Sequence, residues 1–223
     1  MEIWKIIISL VSAYLFGSIP FGFIVVKAFK GTDLRTEGSG RTGGTNAGRA
    51  AGLGAGALTA ILDFLKGALA VWLAMFLVSD VPWLYVAAGL LAIAGHNYSI
   101  HLLERNPDGT IHLRGGAGGA PALGAAFGLF PWTLPIILPI GLVFLFLVGY
   151  ASLTTLSIAV FTIIIFSIRY MQGVSPWQYI VFGFGALLLL LWSLRPNISR
   201  LLKGNERLVG IRAWMKEKNQ KTG

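Results

Sequence analysis

The sequence predicts an all-α integral membrane protein of about seven transmembrane helices, some of them short, with its N-terminus outside and its C-terminus in the cytoplasm. Composition is the first observation behind this. Of 223 residues, 55% are hydrophobic and only 12% charged, where a soluble domain carries about 25% charged residues. Uncharged length is the second: residues 6–26 and 115–168 contain no charge at all, and about 20 apolar residues span a bilayer core of ~30 Å. The third is the placement of the cations, which fixes the number of crossings.

Taken in order, the spans are expected near residues 6–26, 53–78, 83–97, 117–130, 132–148, 153–168 and 180–193. The first is long for a signal peptide, is flanked by Glu2 and Lys5, and lacks a small-x-small cleavage pattern, so it reads as a retained helix. The stretch 115–168 divides at Pro131-Trp132 and at Gly149-Tyr150-Ala151-Ser152, while Pro135 and Pro139 mark tolerated kinks. Three helices in that length must be short, and at least one is expected not to cross the full core.

Cytoplasmic loops carry the excess of lysine and arginine. Residues 27–52 hold Lys27, Lys30, Arg35, Arg41 and Arg49, residues 96–120 hold Arg105 and Arg114, and the tail 195–223 holds eight more, fifteen of the eighteen cations in all. Three crossings between 115 and 168 put all three segments on one face, whereas two would strand the tail opposite the others. The whole chain, 1–223, then reads as one membrane domain with two cytoplasmic loops and a basic cytoplasmic tail. No internal repeat interrupts it.

Several chemistries are excluded. There is no cysteine, hence no disulfide, thiolate nucleophile or cysteine metal site, and three scattered histidines make no metal box. No metal or cofactor is expected. The net charge of +9 lies beside hydrophobic spans, where it meets anionic lipid headgroups, so the expected partner is membrane lipid and not nucleic acid.

Two polar segments are suited to anions. Gly38-Ser39-Gly40-Arg41-Thr42-Gly43-Gly44-Thr45-Asn46-Ala47-Gly48-Arg49 mixes glycines with hydroxyls, an amide and two arginines. Glycine lets backbone N–H groups converge on a phosphate, a following helix aims its N-terminus there, and arginine adds planar donors. The bland alternative is a flexible loop. A second run, Gly115-Gly116-Ala117-Gly118-Gly119-Ala120-Pro121, follows His96; alone it could be a helix-packing surface, but two such loops on one face would form a cradle. Asp63 and Lys66 fall within the second span, three residues apart, where they can pair with each other. His101 and His112 read as loop residues. The tail run from Arg195 onward supplies Asn197 and Arg200, which could equally belong to a basic segment lying on lipid.

In order along the chain, these segments resemble the bacterial membrane glycerol-3-phosphate acyltransferases that use acyl phosphate as donor. The resemblance is carried by Gly17 to Gly22 with Lys27, by Gly38 to Arg49, by Asp63-Phe64-Leu65-Lys66-Gly67, by Gly95-His96, by Gly115 to Pro121, by Ser152-Leu153 and by Asn197 to Glu206. It implies seven helices with cytoplasmic catalytic loops in the bacterial inner membrane. It also implies phosphate binding by Ser39, Arg49 and the second glycine loop, and glycerol phosphate binding by Asn197. The chain departs from the family pattern at Ala117, where lysine is usual, at Pro121 for threonine, Arg41 for asparagine, Gly44 for alanine and Leu194 for histidine. Residues 104–113 are an insertion.

The expected reaction is acyl transfer from acyl phosphate to the 1-hydroxyl of glycerol 3-phosphate, with Ser39, His96 and Arg49 as catalytic candidates. Gly38, Gly40, Arg41, Thr45, Asn46, Arg114, Gly115, Gly116, Gly118, Asn197 and Arg200 are the candidates for substrate and phosphate binding. Arg41 or Arg114 could stand in for the missing lysine. Two rival readings are a catalytically weakened homologue that binds lipid phosphates or a partner enzyme, and an anion transporter built on broken helices.

Overall fold

The computed structural model describes residues 2–105 and 108–222, and the chain is mostly helical. The expected first span is broken in two, α1 (Ile3–Ser18) and α2 (Phe21–Lys30). Pro20 causes the break, since it has no N–H to donate and its ring clashes with the preceding turn. Carbonyls freed inside a membrane need other donors. Ser99 Oγ donates to Ser18 O, and Lys66 Nζ donates to Ile19 O at 2.9 Å.

Gly31, at φ 71°, ends α2 in the left-handed conformation that favours glycine. After a 3₁₀ turn (Leu34–Thr36) come α3 (Gly44–Ala51), α4 (Leu53–Leu77) and α5 (Pro82–Asn97). The inserted segment begins and ends in a small antiparallel hairpin, β1 (Leu103–Arg105) on β2 (Ile111–Leu113), with Glu104 opposite His112. His112 therefore lies in a strand, and His101 in a 3₁₀ turn.

The uncharged stretch contains three helices: α6 (Gly119–Leu129), α7 (Thr133–Val143) continued by a π-helical turn (Phe144–Val148), and α8 (Ala151–Met171). α6 and the α-helical part of α7 have 11 residues each, about 16 Å at 1.5 Å per residue, roughly half a bilayer core. Among the described residues, four segments are long and apolar enough to cross a membrane: Ile3–Lys30, Leu53–Leu77, Ala151–Met171 and Gln178–Leu202. Large side chains such as Phe76 and Leu188 lie exposed on the outer surface, as lipid-facing residues do.

α9 (Gln178–Leu202) runs well past residue 193, where the sequence reading ended it. Pro196 does not stop it, because Trp192 O, the carbonyl that Pro196 cannot serve, accepts from Arg195 Nε at 2.9 Å. This places Asn197 and Arg200 on a rigid helix end and not in a loose tail. A last helix, α10 (Gly210–Thr222), follows. Close helix crossings depend on small residues: on the α4–α6 contact, a Cβ on Gly67 would meet Pro121 O at 2.2 Å and one on Gly124 would meet Phe64 O at 1.9 Å.

Candidate active site

One cavity of about 540 Å³ opens where the two glycine loops and the end of α9 meet, and it continues as an apolar groove between α4, α6, α7 and α8. Its polar end holds Ser39, Arg41, Arg49, His96, Asn197 and Arg200. The groove walls include Phe64, Leu123, Leu134, Leu138, Leu142 and Ile158. A charged head and a hydrocarbon chain thus have adjoining compartments.

Two helix starts face the polar end. Gly43 to Asn46 at the beginning of α3, and Gly118 to Ala120 at the beginning of α6, all line the cavity. The first-turn N–H groups of a helix lack intrahelical partners and carry the positive end of the dipole, which suits a phosphate. Pro121 falls in this first turn of α6, where its missing N–H leaves no helical hydrogen bond unmade. Its departure from the family pattern has no backbone cost there.

The first loop is built around one side chain. Asn46 is buried, accepts from Ser39 N at 3.1 Å and donates to Glu37 O at 3.0 Å and Arg41 O at 2.9 Å. Its two amide hydrogens are thereby used within the loop. Asn46 lines the cavity and at the same time holds the loop that presents Ser39 and Thr45. Gly38 (φ 55°) and Gly40 (φ 69°) make the turns that permit this, and neither lines the cavity.

Arg41 bridges the two loops and α9. Its guanidinium donates to Ser193 Oγ at 3.0 Å, to Ser193 O, and to Gly116 O at 3.5 Å, while Thr42 N donates to Gly115 O at 3.3 Å. Burial pulls Arg41 below the ordinary guanidinium value, with Arg200 pushing the same way, yet it remains cationic. Arg49 is likewise lowered, first by burial and then by Arg207. Glu206 lies near enough to offset part of this crowding, and desolvated cations held close together favour an incoming anion.

Gly115 and Gly116 serve packing. A Cβ on Gly115 would meet His96 O at 2.2 Å and one on Gly116 would meet His96 Nε2 at 1.9 Å, so the loop lies flat against the end of α5. They shape the wall while Ala117 and Gly118 face the cavity. The structure places Arg114 away from the cavity that the sequence reading assigned to it. It points outward, with Nε 2.6 Å from Glu104 Oε2, and does not line the cavity. Arg35 joins the same network through Glu104 at 2.9 Å and Asp33 at 2.6 Å, tying the first loop to the hairpin. The inserted acid Glu104 thus takes up the guanidinium that the sequence offered to phosphate.

The expected Asp63–Lys66 pair forms, at 2.9 Å, and His96 joins it with Nδ1 3.4 Å from Asp63 Oδ1. Lys66 also holds the Ile19 carbonyl at the break in the first span, which gives it a structural task outside the cavity. Asp63 and His96 line the cavity. A carboxylate on one ring nitrogen of a histidine fixes its orientation and leaves the other nitrogen toward the second loop.

Sequence reasoning missed three contributions. Arg207 lines the cavity, and Arg49 Nη2 donates to the carbonyls of Arg207 and Leu208 at 3.4 and 3.2 Å. The segment after α9 therefore folds back over the mouth. Ser152 lies buried in the cavity wall with its hydroxyl unpartnered among the described residues. Glu206, also buried, accepts from Asn197 Nδ2 at 2.7 Å. Charge patterning alone pointed to the cations of this tail and gave no reason to single out its acid.

The combination of a helical membrane body, paired helix N-termini, a cluster of guanidiniums and an adjoining apolar groove defines an integral membrane protein equipped to hold phosphorylated amphiphiles. The chain belongs to the glycerol-3-phosphate acyltransferase family, whose model matches residues 7–204. A glycerol-3-phosphate acyltransferase 2 of Moorella thermoacetica is 36% identical over 211 residues, covering 93% of this chain and 99% of its own. A glycerol-3-phosphate acyltransferase of Thermus thermophilus is 37% identical over 210 residues, 92% and 96% of the two chains. Among solved structures, PlsY (YgiH), an integral membrane glycerol 3-phosphate acyltransferase, matches in its glycerol 3-phosphate form with a TM-score of 0.79 at 30% identity, covering 94% of this chain and 98% of that one. Its lysophosphatidic acid form matches with a TM-score of 0.77.

Proposed function

We propose that this protein transfers an acyl group from acyl phosphate to the 1-hydroxyl of glycerol 3-phosphate, releasing inorganic phosphate and lysophosphatidic acid for phospholipid synthesis. The observation that carries this is a cavity in which a cationic, N–H-rich end adjoins an apolar groove. The acyl chain lies in the groove. Its phosphorylated head and the acceptor's phosphate share the arginines and the two helix starts. Holding both heads together supplies much of the rate advantage by proximity.

The donor is already activated, so no covalent enzyme intermediate is needed. The acceptor oxygen forms a bond to the acyl carbon, the bond from that carbon to the phosphate oxygen breaks, and phosphate leaves with the electron pair. The departing phosphate takes the hydroxyl proton, with Ser39 and the Asp63-oriented His96 as the side chains placed to assist. Arg49 and the helix N–H groups stabilise the charge that develops. Arg41 brings a guanidinium to the wall beside Ala117, which supports an active site over the weakened-homologue reading. Family membership leaves the anion-transporter reading without a specific observation in its favour.

The seven-helix topology belongs to the same proposal, with an outside N-terminus, a cytoplasmic site and residence in the bacterial inner membrane. It is supported by the concentration of cations in residues 27–52, 96–120 and 195–223. An N-terminal tag should be reachable from outside intact cells and a C-terminal tag protected; finding both on one side would end the seven-helix reading. For the activity, purified protein in detergent is given palmitoyl phosphate and glycerol 3-phosphate. Phosphate should appear only with both present, whereas release without the acceptor would indicate plain hydrolysis.

A further inference from the structure

We infer that α10 docks on the anionic lipid surface beside the cavity mouth and so anchors the segment that folds back over the site. The helix begins past residue 204, where the family match ends, and the docking stands whether or not the acyl-transfer reading does. Residues 210–222 carry four cations, Arg212, Lys216, Lys218 and Lys221, against one acid, Glu217. Ile211, Trp214, Met215 and Lys218 recur at the i, i+3, i+4, i+7 spacing of a single helix face. Ile211, Trp214 and Met215 are 43, 60 and 53% exposed, so the described fold leaves this stripe open. Lys218 ends the stripe with its ammonium 5.4 Å from the Trp214 ring centre.

Exposure alone would fit a partner protein or a second copy of the chain; position selects lipid. Val209 N donates to Gly149 O at 2.9 Å and Arg212 Nη1 to Val148 O at 3.0 Å, with the guanidinium over the Tyr150 ring. Val148 closes the π-helical turn after α7, and Ala151 opens α8, which is long and apolar enough to cross a bilayer. This junction therefore lies where hydrocarbon gives way to headgroups. Gly210, at φ 64°, sits so close to the turn that a Cβ on it would meet Phe146 Cα at 2.6 Å, so α10 has a fixed root at that level. Tryptophan favours that depth. An Ile-Trp-Met stripe suits insertion by ~5–10 Å into the headgroup and acyl boundary, and the excess of cations selects anionic over neutral lipid.

The seat bears on the cavity mouth. Residues 203–209 leave the end of α9, and Arg49 ties them near their middle through the carbonyls of Arg207 and Leu208. Their far end is Val209, at the root of α10. With α10 held on lipid, the segment over the mouth is fixed at both ends.

The chain has no cysteine, so single spin labels can be placed without background. Full-length protein is labelled with a nitroxide at Met215→Cys, on the stripe, or at Lys216→Cys, on the exposed polar side, in nanodiscs of phosphatidylcholine alone or mixed with phosphatidylglycerol. Paramagnetic resonance then reads access to oxygen, which concentrates in hydrocarbon, and to a water-soluble nickel chelate. In the anionic discs the ratio of oxygen to nickel access should be several-fold higher at 215 than at 216. In neutral discs, or with Lys216→Glu and Lys218→Glu added to Met215→Cys in anionic discs, the ratio at 215 should fall toward the value at 216. Equal ratios at 215 and 216 in anionic discs would overturn the docking. Low access to both reagents at 215 would overturn it too, by assigning the stripe to a protein contact. The same high ratio at 215 in both lipids would overturn the choice of anionic lipid. None of these readings depends on turnover, so failure of acyl transfer would leave them standing.

Discussion

The two glycine-rich loops look alike in sequence and are built on opposite principles. In the second, Gly115 and Gly116 press against His96 so closely that neither has room for a Cβ. The loop is a wall shaped by its neighbour. In the first, Gly43 has open space around it, and the loop owes its shape to hydrogen bonds from the Asn46 side chain. Glycine serves close approach in the second loop, whereas in the first it makes the turns at Gly38 and Gly40 and, only at Gly44, a close crossing in which a Cβ would meet Gly56 O at 2.8 Å. The ligand-facing surface of the first is accordingly polar and set by its own hydrogen bonds, while that of the second is set by contact with α5.

The largest expected effect separates the two directly. Gly116→Ala should drive a methyl group into the His96 ring, lower phosphate release by about a hundredfold or more through misplacement of the wall, and cost about 1–3 kcal/mol of stability from overpacking. Gly43→Ala should leave thermal unfolding within about 0.5 kcal/mol of wild type. Similar unfolding curves for the two variants would erase the distinction.

Arg49, at the end of the first loop, carries charge where the second loop's cavity face has none. Arg49→Ala should reduce turnover by roughly ten- to more than a hundredfold, the loss of one charge-assisted contact at about 1.5–3 kcal/mol. Arg105→Ala, in the hairpin outside the cavity, should stay within about twofold. Equal small effects would return weight to the weakened-homologue reading.

Arg41 is where the loops meet, and it sharpens the comparison further. With its guanidinium already at the Gly116 carbonyl, Ala117→Lys should crowd two cations and lower activity by about tenfold. In an Arg41→Asn background the same lysine should restore activity, as measured by glycerol-3-phosphate-dependent phosphate release. An inactive wild type rescued by Ala117→Lys alone would show that Arg41 does not replace the missing cation.

The smallest effect lies at the base of the first loop. The Arg35 hydrogen bond holds the Asp33 carboxyl below its usual value. A depressed folded pKa stabilises above the unfolded value of about 4, and that stability disappears as pH falls through the lower folded value. Exchange protection of residues 33–40 should therefore fall on acidification below about pH 4 in wild type and fall less in Asp33→Asn, where Glu104 remains as the partner of Arg35, with under about 1 kcal/mol at stake for a partly exposed pair. An unchanged acid response in Asp33→Asn would remove Asp33 from the account.

Membrane residence, the approximate positions of the apolar helices, the short helices of the uncharged stretch and the two glycine-rich loops that meet at the cavity were legible in the sequence. Hydropathy, cation placement and glycine content act locally and sum along the chain, so no partner has to be known. The Asp63–Lys66 pair was legible for the same reason, being three residues apart on one helix. What only the tertiary structure decided were choices between partners distant in sequence. Lys66 could not be seen to serve the Ile19 carbonyl, Arg114 to be claimed by Glu104 across the hairpin, nor Arg41 to reach Ser193. Asn46 offered the same amide to a phosphate or to its own loop until the fold placed Glu37 O and Arg41 O beside it. Glu206 was invisible as a site residue because an acid in a basic tail reads as solvated until helix packing buries it against Asn197. Each of these outcomes is a competition for one hydrogen-bonding or ionic group, and competitions of that kind are settled by which groups the packed helices bring within about 3 Å.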